Sequence, residues 1–306
     1  PKPSSAASDV YKRQDKGSRM VGMSPMAWGA VLAAFAYADF SIHDAIIKWL
    51  VTDLPVWEVV FARSVVIFLI AAVVGGRRVA LRALTTPLRW PLVGRSILLL
   101  VAWLLYFVAA RSLPLAQMLT LYFSAPVMTT VMAGPLLGER VTKARLVAAG
   151  VGFVGVLVAC NPVGLRISLP VLMVLAAAAM WAYAVILMRR IARREASMVQ
   201  ILFQNGFFLV ATGLGSLATW QTPNLTHLAL MLASGVIGGL GQFALFEAAR
   251  RVPASVMGTL EYSSLIWAFV LGYAVWGDIP VPPVWIGAAL ILGAGGLLLA
   301  AERRRR

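Results

Sequence analysis

Apolar runs of about 20 residues recur along almost all of this 306-residue chain, and they constrain its fold more than any other feature. A helical run of that length crosses the roughly 30 Å hydrocarbon core of a bilayer. Lipid offers no hydrogen bonds, so each run must satisfy its own backbone groups as an α-helix. Charged residues make up only 13% of the chain, too few to cover the core of a soluble domain of this size. The sequence therefore predicts an all-α integral membrane protein.

The runs are separated by short polar connections. We predict ten transmembrane helices, at 26–49, 55–74, 91–110, 114–136, 143–160, 169–189, 198–219, 227–249, 253–276 and 281–300. Residues 1–23 begin with a polar, patternless stretch, and we expect them to form a disordered or artificial N-terminal tail. No connection is long enough to hold a second, soluble domain.

The basic residues indicate the orientation. A net charge of +15 would suit a nucleic-acid partner, but the lysines and arginines lie in short clusters between the apolar runs and at both ends. With the N-terminus in the cytoplasm, 23 of these 27 residues fall on the inner side, as the positive-inside rule requires. We therefore expect a multi-pass protein of a bacterial inner membrane, with both termini cytoplasmic and no nucleic-acid partner.

The chain repeats itself at an offset of 139 residues. The matching pairs are Phe107 and Phe246, Arg111 and Arg250, Pro114 and Pro253, Leu121 and Leu260, Phe123 and Tyr262, Ser124 and Ser263, and Gly138 and Gly277. Five predicted helices separate the copies, and because five is odd, the second copy must be inverted. We expect residues 24–162 and 163–306 to form two inverted five-helix repeats, a plan typical of secondary transporters with a substrate site near the midplane.

The repeated stretch also carries a family resemblance. Leu113 to Val158, with its Gly138-Glu139 turn and glycine-rich end, is similar to helices 4 and 5 of the EamA-type ten-helix members of the drug/metabolite transporter superfamily. Val252 to Gly277, with Glu261-Tyr262, resembles the matching stretch of the second repeat. The resemblance implies alternating-access transport of a small organic metabolite, such as an amino acid, vitamin, amine or adenosyl-type solute. The resemblance does not decide whether transport is coupled to protons or to a counter-substrate. It also does not decide between a monomer and a homodimer.

Ionisable residues inside the first two predicted spans are candidates for the site, because charge in a membrane is costly and usually faces a cavity or a partner. Asp39 and His43 lie four residues apart on helix 1, and we predict that they bind substrate. Asp44 follows them, and Arg63 lies in helix 2 at a depth between those of Asp44 and Asp39. We expect Asp44 and Arg63 to act in coupling or as a static ion pair.

Glu261 is the strongest single candidate. It lies at the centre of the ninth predicted span, has no basic neighbour three or four residues away, and takes the place that Tyr122 has in the first repeat. We predict that it binds substrate or carries protons, and the alternative is a protonated glutamic acid bonded to a neighbouring helix. The other predicted substrate-binding residues are Trp103, Tyr106, Tyr122, Trp181, Gln242 and Tyr262.

Three further residues have structural interpretations. Glu247 precedes Arg250 and Arg251 by one helical turn and is expected to form an ion pair with them. Glu58 is near the outer end of helix 2, where we expect it to be solvated. Gly235 and Gly239 form a GxxxG pattern that predicts close helix packing.

A membrane-embedded enzyme and a channel-like facilitator are the alternatives to a carrier. One cysteine, two distant histidines and the lack of any HExxH or phosphate-binding glycine loop argue against an enzyme. The lack of a recognisable filter sequence argues against a channel. We therefore predict no catalytic residues, no metal site and no cofactor.

Overall fold

The computed structural model describes residues 24–109, 112–113, 121–160, 167–276 and 282–303. Every secondary-structure element in these ranges is an α-helix. The helices are α1 Pro25–Asp53, α2 Val56–Thr85, α3 Arg89–Ala109, α4 Ala125–Leu137, α5 Lys143–Cys160, α6 Leu169–Ala192, α7 Ser197–Ser216, α8 Leu225–Arg251, α9 Ala254–Glu261, α10 Ser263–Trp276 and α11 Pro282–Arg303. Within this part of the chain, α1 to α3 and α6 to α8 are long and apolar enough to cross a membrane, whereas α4 and α11 are apolar but contain shorter runs.

Local sequence explains where several helices begin and end. The side chain of Ser24 accepts a hydrogen bond from the backbone N–H of Ala27 at 3.2 Å, which caps α1. Asn224 caps α8 in the same way by accepting from His227 N–H at 2.8 Å. Gly138 ends α4 with φ 64°, a left-handed conformation that suits glycine.

Two helices differ from the sequence prediction. Beyond the second predicted span, 55–74, helical structure resumes and α2 extends to Thr85, but Gly76 has φ 64° and is not helical, so two helical segments meet there at a kink. The ninth predicted span, 253–276, is interrupted at Tyr262 and forms two helices, α9 and α10. Residues 114–120 of the fourth predicted span lie outside the described residues.

Small residues line the helix contacts. The most extensive pairings join α1 to α8, α2 to α7, α3 to α6 and α5 to α11, followed by α4 with α9 and α2 with α8. Fully buried alanines such as Ala33, Ala36 and Ala248 let the backbones approach closely, which is how helices in membranes gain packing energy. Large apolar side chains such as Val73 and Leu84 are about four-fifths exposed, as expected of surfaces that face lipid.

The GxxxG prediction on α8 is confirmed. A Cβ added at Gly235 would lie 2.5 Å from Cβ of Val66, and one at Gly239 would lie 3.4 Å from Ile67. Both contacts are with α2, so the glycines allow α8 to lie directly on that helix.

The packing of α5 on α11 gives a stability test with an internal control. A Cβ added at Gly155 would lie 2.9 Å from the carbonyl oxygen of Gly287, whereas one at Gly150 would meet no atom within 4 Å. We expect Gly155→Ala to lower the free energy of unfolding by about 1–3 kcal/mol, because an overpacked contact must separate. Gly150→Ala should leave it unchanged or raise it, since alanine favours the helix. Equal unfolding midpoints for the two variants in one detergent would contradict this tight contact.

Arginines mark one end of the bundle. Gly29, near the start of α1, lies against Arg251 and Val252 at the end of α8. Arg82, near the end of α2, contacts Glu195 in the α6–α7 connection. We call this end, where α1 begins and α2, α6 and α8 end, the basic end.

Candidate functional site

Two interruptions of helical structure lie at positions related by the 139-residue offset. Ser124 precedes α4, and its hydroxyl donates to the carbonyl oxygen of Leu121 at 2.6 Å. Ser263 begins α10, and its hydroxyl donates to the carbonyl oxygen of Leu260 at 2.7 Å. A serine thus makes the same hydrogen bond at both interruptions. An interrupted helix leaves backbone polar groups free that a regular helix would bond internally.

Glu261 lies at the second interruption. Its side chain is 4% exposed, and Oε1 accepts a hydrogen bond from Trp181 Nε1 at 2.7 Å. The other carboxylate oxygen, Oε2, is buried and has no hydrogen-bond partner in the described part of the chain. A buried oxygen without a partner costs free energy, and in a membrane span it typically marks a binding or transport site.

Three tyrosines surround this carboxylate. Tyr37 from α1, Tyr122 and Tyr262 all lie within electrostatic reach of Glu261. The ring of Tyr106 contacts that of Tyr122 edge-to-face, with 5.2 Å between the centroids. The sequence singled out three of these tyrosines for the site but not Tyr37, which is buried on the same helix as the predicted polar residues.

The polar residues of α1 form a second group. Asp39 and His43 are buried, and His43 Nδ1 lies 3.1 Å from Asp44 Oδ1. The Arg63 guanidinium is buried on α2 and interacts electrostatically with both Asp44 and Asp39. The structure thus places Arg63 beside carboxylates of α1, as their matching depths predict, and its role in coupling stays a prediction.

Glycines of α8 close one side of this group. A Cβ added at Gly238 would lie 2.8 Å from His43 Cδ2 and 3.0 Å from Arg63 Nε. A Cβ added at Gly241 would overlap the carboxylate of Asp39. Glycine at these two positions therefore lets the α8 backbone lie against the charged side chains of α1 and α2.

Trp103 lies beside Arg63. Arg63 Cζ lies 5.3 Å from the centroid of the Trp103 ring, a cation–π contact between α2 and α3. The indole also meets Phe208 of α7, with 5.5 Å between the ring centroids. Binding of substrate by Trp103 stays a prediction.

The Asp44 side chain shows that the helices leave a space between them. It is 79% exposed, yet it interacts electrostatically with Arg63 of α2, Tyr106 of α3 and Tyr122. A carboxylate that is exposed, yet near groups of α2 and α3, indicates a solvent-accessible opening beside α1. Tyr122 is in electrostatic reach of both Asp44 and Glu261, so it lies between this opening and the group around Glu261.

Gln242, which was predicted to bind substrate, makes a hydrogen bond to a neighbouring helix. Its amide oxygen accepts a hydrogen bond from Asn205 Nδ2 at 2.9 Å, and both side chains are buried. This contact joins α8 to α7, so the polar end of Gln242 is used in helix packing. Glu247 behaves as predicted and pairs with Arg251 Nη1 at 2.5 Å, and it also accepts a hydrogen bond from the Ser197 hydroxyl.

Glu139 at the basic end is a functional candidate that the sequence showed only as part of a turn. Its Oε1 lies 3.5 Å from Arg189 Nε and 3.7 Å from Arg193 Nη2. The same oxygen accepts a hydrogen bond from the backbone N–H of Ala254, at the start of α9. Glu139 thus links the first predicted half of the chain, 24–162, to the second, 163–306.

Glu195 makes a second contact of this kind. Its Oε1 accepts from Arg82 Nη2 at 2.7 Å and from the Thr86 hydroxyl at 2.6 Å, and its Oε2 accepts from Arg82 Nε at 3.1 Å. The sequence signal for this contact is a single acidic residue directly after the arginines of the α6–α7 connection.

Two other charged residues are more buried than their sequence positions suggest. Glu58 is fully buried rather than solvated, because Oε2 accepts a hydrogen bond from Gln221 N–H at 2.9 Å and the α7–α8 connection covers it. Arg95, counted among the inner-side basic residues, is 1% exposed and donates to Gln200 and Gln204 of α7.

The sequence matches a known protein family over most of its length. The model of the EamA-like transporter family matches residues 26–160 and again residues 168–300. The chain belongs to this family. Among the described residues of this EamA protein, no group of three His, Cys, Asp or Glu side chains could hold a metal ion.

Its relatives are named as transporters of small metabolites. A riboflavin transporter of Vibrio cholerae serotype O1 is 26% identical over 85% of this chain and 87% of its own length. An S-adenosylmethionine uptake transporter of Rickettsia bellii is 26% identical over 86% of this chain and 90% of its own. A pseudopaline exporter of Pseudomonas aeruginosa is 27% identical over 87% and 94% of the two chains.

The fold is also known. A protein chain in a crystal structure superposes on this EamA protein with a TM-score of 0.77. The two are 20% identical, and the match covers 92% of this chain and 99% of the other. At that identity the match shows a common fold.

Proposed function

We propose that this EamA protein is a secondary transporter that moves a small organic metabolite across a bacterial inner membrane by alternating access. In this proposal ten transmembrane segments form two inverted repeats, 24–162 and 163–306, and α9 and α10 together make one segment. The basic end and both termini face the cytoplasm, in keeping with the positive-inside rule.

The packing of the helices supports the two-fold relation. Suppose that each helix of the first half is exchanged for its counterpart in the second half. The contact between α2 and α7 then maps onto itself, and so do the contacts of α4 with α9 and of α5 with α11. The contact of α1 with α8 maps onto that of α6 with α3, which is also among the most extensive. A pseudo-two-fold axis between the halves explains this pattern, and transporters of this plan bind substrate near that axis.

The observation that carries the proposal is the buried carboxylate of Glu261, with one oxygen bound to Trp181 and the other without a partner. It lies at an interrupted helix and beside an opening that Asp44 also faces. Broken helices in transporters present their polar groups to the substrate. The relatives carry chemically different solutes, so they support a small metabolite without identifying it.

Exchange across proteoliposomes tests the function without knowledge of the substrate. Vesicles loaded with a bacterial metabolite extract are diluted into buffer, and mass spectrometry follows which solutes leave. We expect one or a few organic solutes to leave faster than from protein-free vesicles, with saturation and with acceleration by the same solute outside. Non-saturable loss of many solutes would indicate a channel, and chemical alteration of a solute would indicate an enzyme. Either result would contradict a carrier.

A further inference from the structure

We propose that Glu261, Tyr37 and Tyr262 bind a protonated primary ammonium group of the transported solute. The inference rests on the proposed carrier function and assigns the chemistry of its central site.

In the part of the chain that the structure describes, Glu261 and two tyrosines in electrostatic reach of it each have a buried oxygen without a hydrogen-bond partner. These oxygens are Oε2 of Glu261 and the hydroxyls of Tyr37 and Tyr262, and all three side chains are at most 4% exposed. A primary ammonium group carries three N–H donors and no acceptor, so it can satisfy three such oxygens together.

The charge of the surroundings favours a cation. The acidic and basic side chains described around the opening are those of Asp39, Asp44, Glu261 and His43 and one arginine, Arg63. The guanidinium interacts with the two carboxylates of α1, which leaves Glu261 without a positive partner among them. The Trp181 N–H at 2.7 Å stabilises the ionised carboxylate, because hydrogen bonds to charged acceptors are the strong ones. An anionic group of the solute would be repelled at this position.

Aromatic side chains define what lies beside the ammonium. Tyr106 and Tyr122 meet edge-to-face, and Trp103 is already stacked on Arg63 and Phe208. Such walls bury a planar or apolar body well, and they also attract a positive charge. A test compound should therefore combine an aromatic ring with a short chain that ends in the ammonium group.

Four probes differ only in that end group: tyramine, its N-trimethylated derivative, tyrosol with a hydroxyl, and 3-(4-hydroxyphenyl)propionate with a carboxylate. Isothermal titration calorimetry on the purified full-length protein measures their affinities. We expect tyramine to bind about tenfold or more tightly than tyrosol, because a hydrogen bond to a charged group is lost. The trimethylated compound should be weaker than tyramine, since it has no N–H donor, and the carboxylate should be weakest.

Two variants and one control test which side chains bind the ammonium group. Glu261→Gln keeps the shape and an acceptor for Trp181, and it should reduce tyramine affinity to that of tyrosol. Tyr37→Phe removes one acceptor and should weaken tyramine a few-fold while leaving tyrosol unchanged. Glu58→Gln is the matched control, because Glu58 is a buried carboxylate bound to Gln221 N–H and not to this group. It should leave all four affinities unchanged.

The inference is overturned if tyramine does not bind, if tyrosol or the trimethylated compound binds as tightly, or if Glu261→Gln keeps the wild-type preference for tyramine. Saturable exchange of a neutral or anionic metabolite in the vesicle experiment, with no tyramine binding, would overturn the ammonium site alone. The carrier function would then still stand.

Discussion

Replacing Glu139 by glutamine is expected to open the basic end of the bundle. The Glu139 carboxylate is 6% exposed and lies between Arg189, Arg193 and the backbone N–H of Ala254. Removing one partner of a buried charge pair costs about 3–5 kcal/mol, because the other charge is left uncompensated. Glu139 belongs to the first half and its partners to the second. Alternating access requires such contacts to separate, so the closed arrangement should lose stability relative to the open one.

Labelling at Ser255 measures this opening. Ser255 is fully buried beside Ala254, and the one native cysteine, Cys160, is first replaced by alanine. In Ser255→Cys protein, a membrane-impermeant maleimide applied in inverted vesicles should react at least about tenfold faster when Glu139→Gln is present, a shift of about 1.4 kcal/mol or more. Glu247→Gln is the control, because its partners Ser197 and Arg251 lie in the same half. Equal rates in all backgrounds would show that Glu139 does not hold this end closed.

Arg63→Leu is expected to lower the free energy of unfolding by about 1–3 kcal/mol, because the buried carboxylate of Asp39 loses a nearby positive charge. Adding Asp39→Asn should restore much of the loss. Adding Asp44→Asn should restore little, since Asp44 is 79% exposed and can be solvated. Chemical unfolding in one detergent, analysed as two double-mutant cycles, gives both coupling energies. Purely additive losses for Arg63 and Asp39 would show that they are not a pair.

Helix positions were predictable because the bilayer constraint acts on local composition. The span predicted at 143–160 is α5, with the same limits, and most others differ by a few residues. The kink at Gly76 and the interruption at Tyr262 were not predictable in this way. Gly76 lies between the end of an apolar run and Arg77, and Tyr262 lies inside the ninth predicted span. At both places hydrophobicity does not report backbone dihedral angles or which hydrogen bonds are made.

The charged residues of the candidate site were predictable, because a charge inside a membrane span is costly and usually has a partner or a function. Glu261 and Arg63 stood out for that reason, and the structure surrounds both with predicted residues. The direct bond from Trp181 and the burial of Tyr37 depend on how each helix is rotated about its own axis. That rotation is set by packing between distant segments, such as the close approach of α8 at Gly241. Gln242, one residue further along α8, faces Asn205 for the same reason.

Phe123 and Tyr262 occupy equivalent positions in the two copies of the repeat, and their rings lie 6.1 Å apart. In an ancestor made of two identical five-helix chains, this residue would have met its own copy, and any carboxylate next to it would have been present twice. Joining two copies in one chain removes that constraint. Tyr122 and Glu261, the neighbours of this ring pair, differ, so this pair of equivalent positions carries one acidic group instead of two. In a chain with an internal repeat, the charge of such a pair can therefore change one unit at a time without a change in the fold.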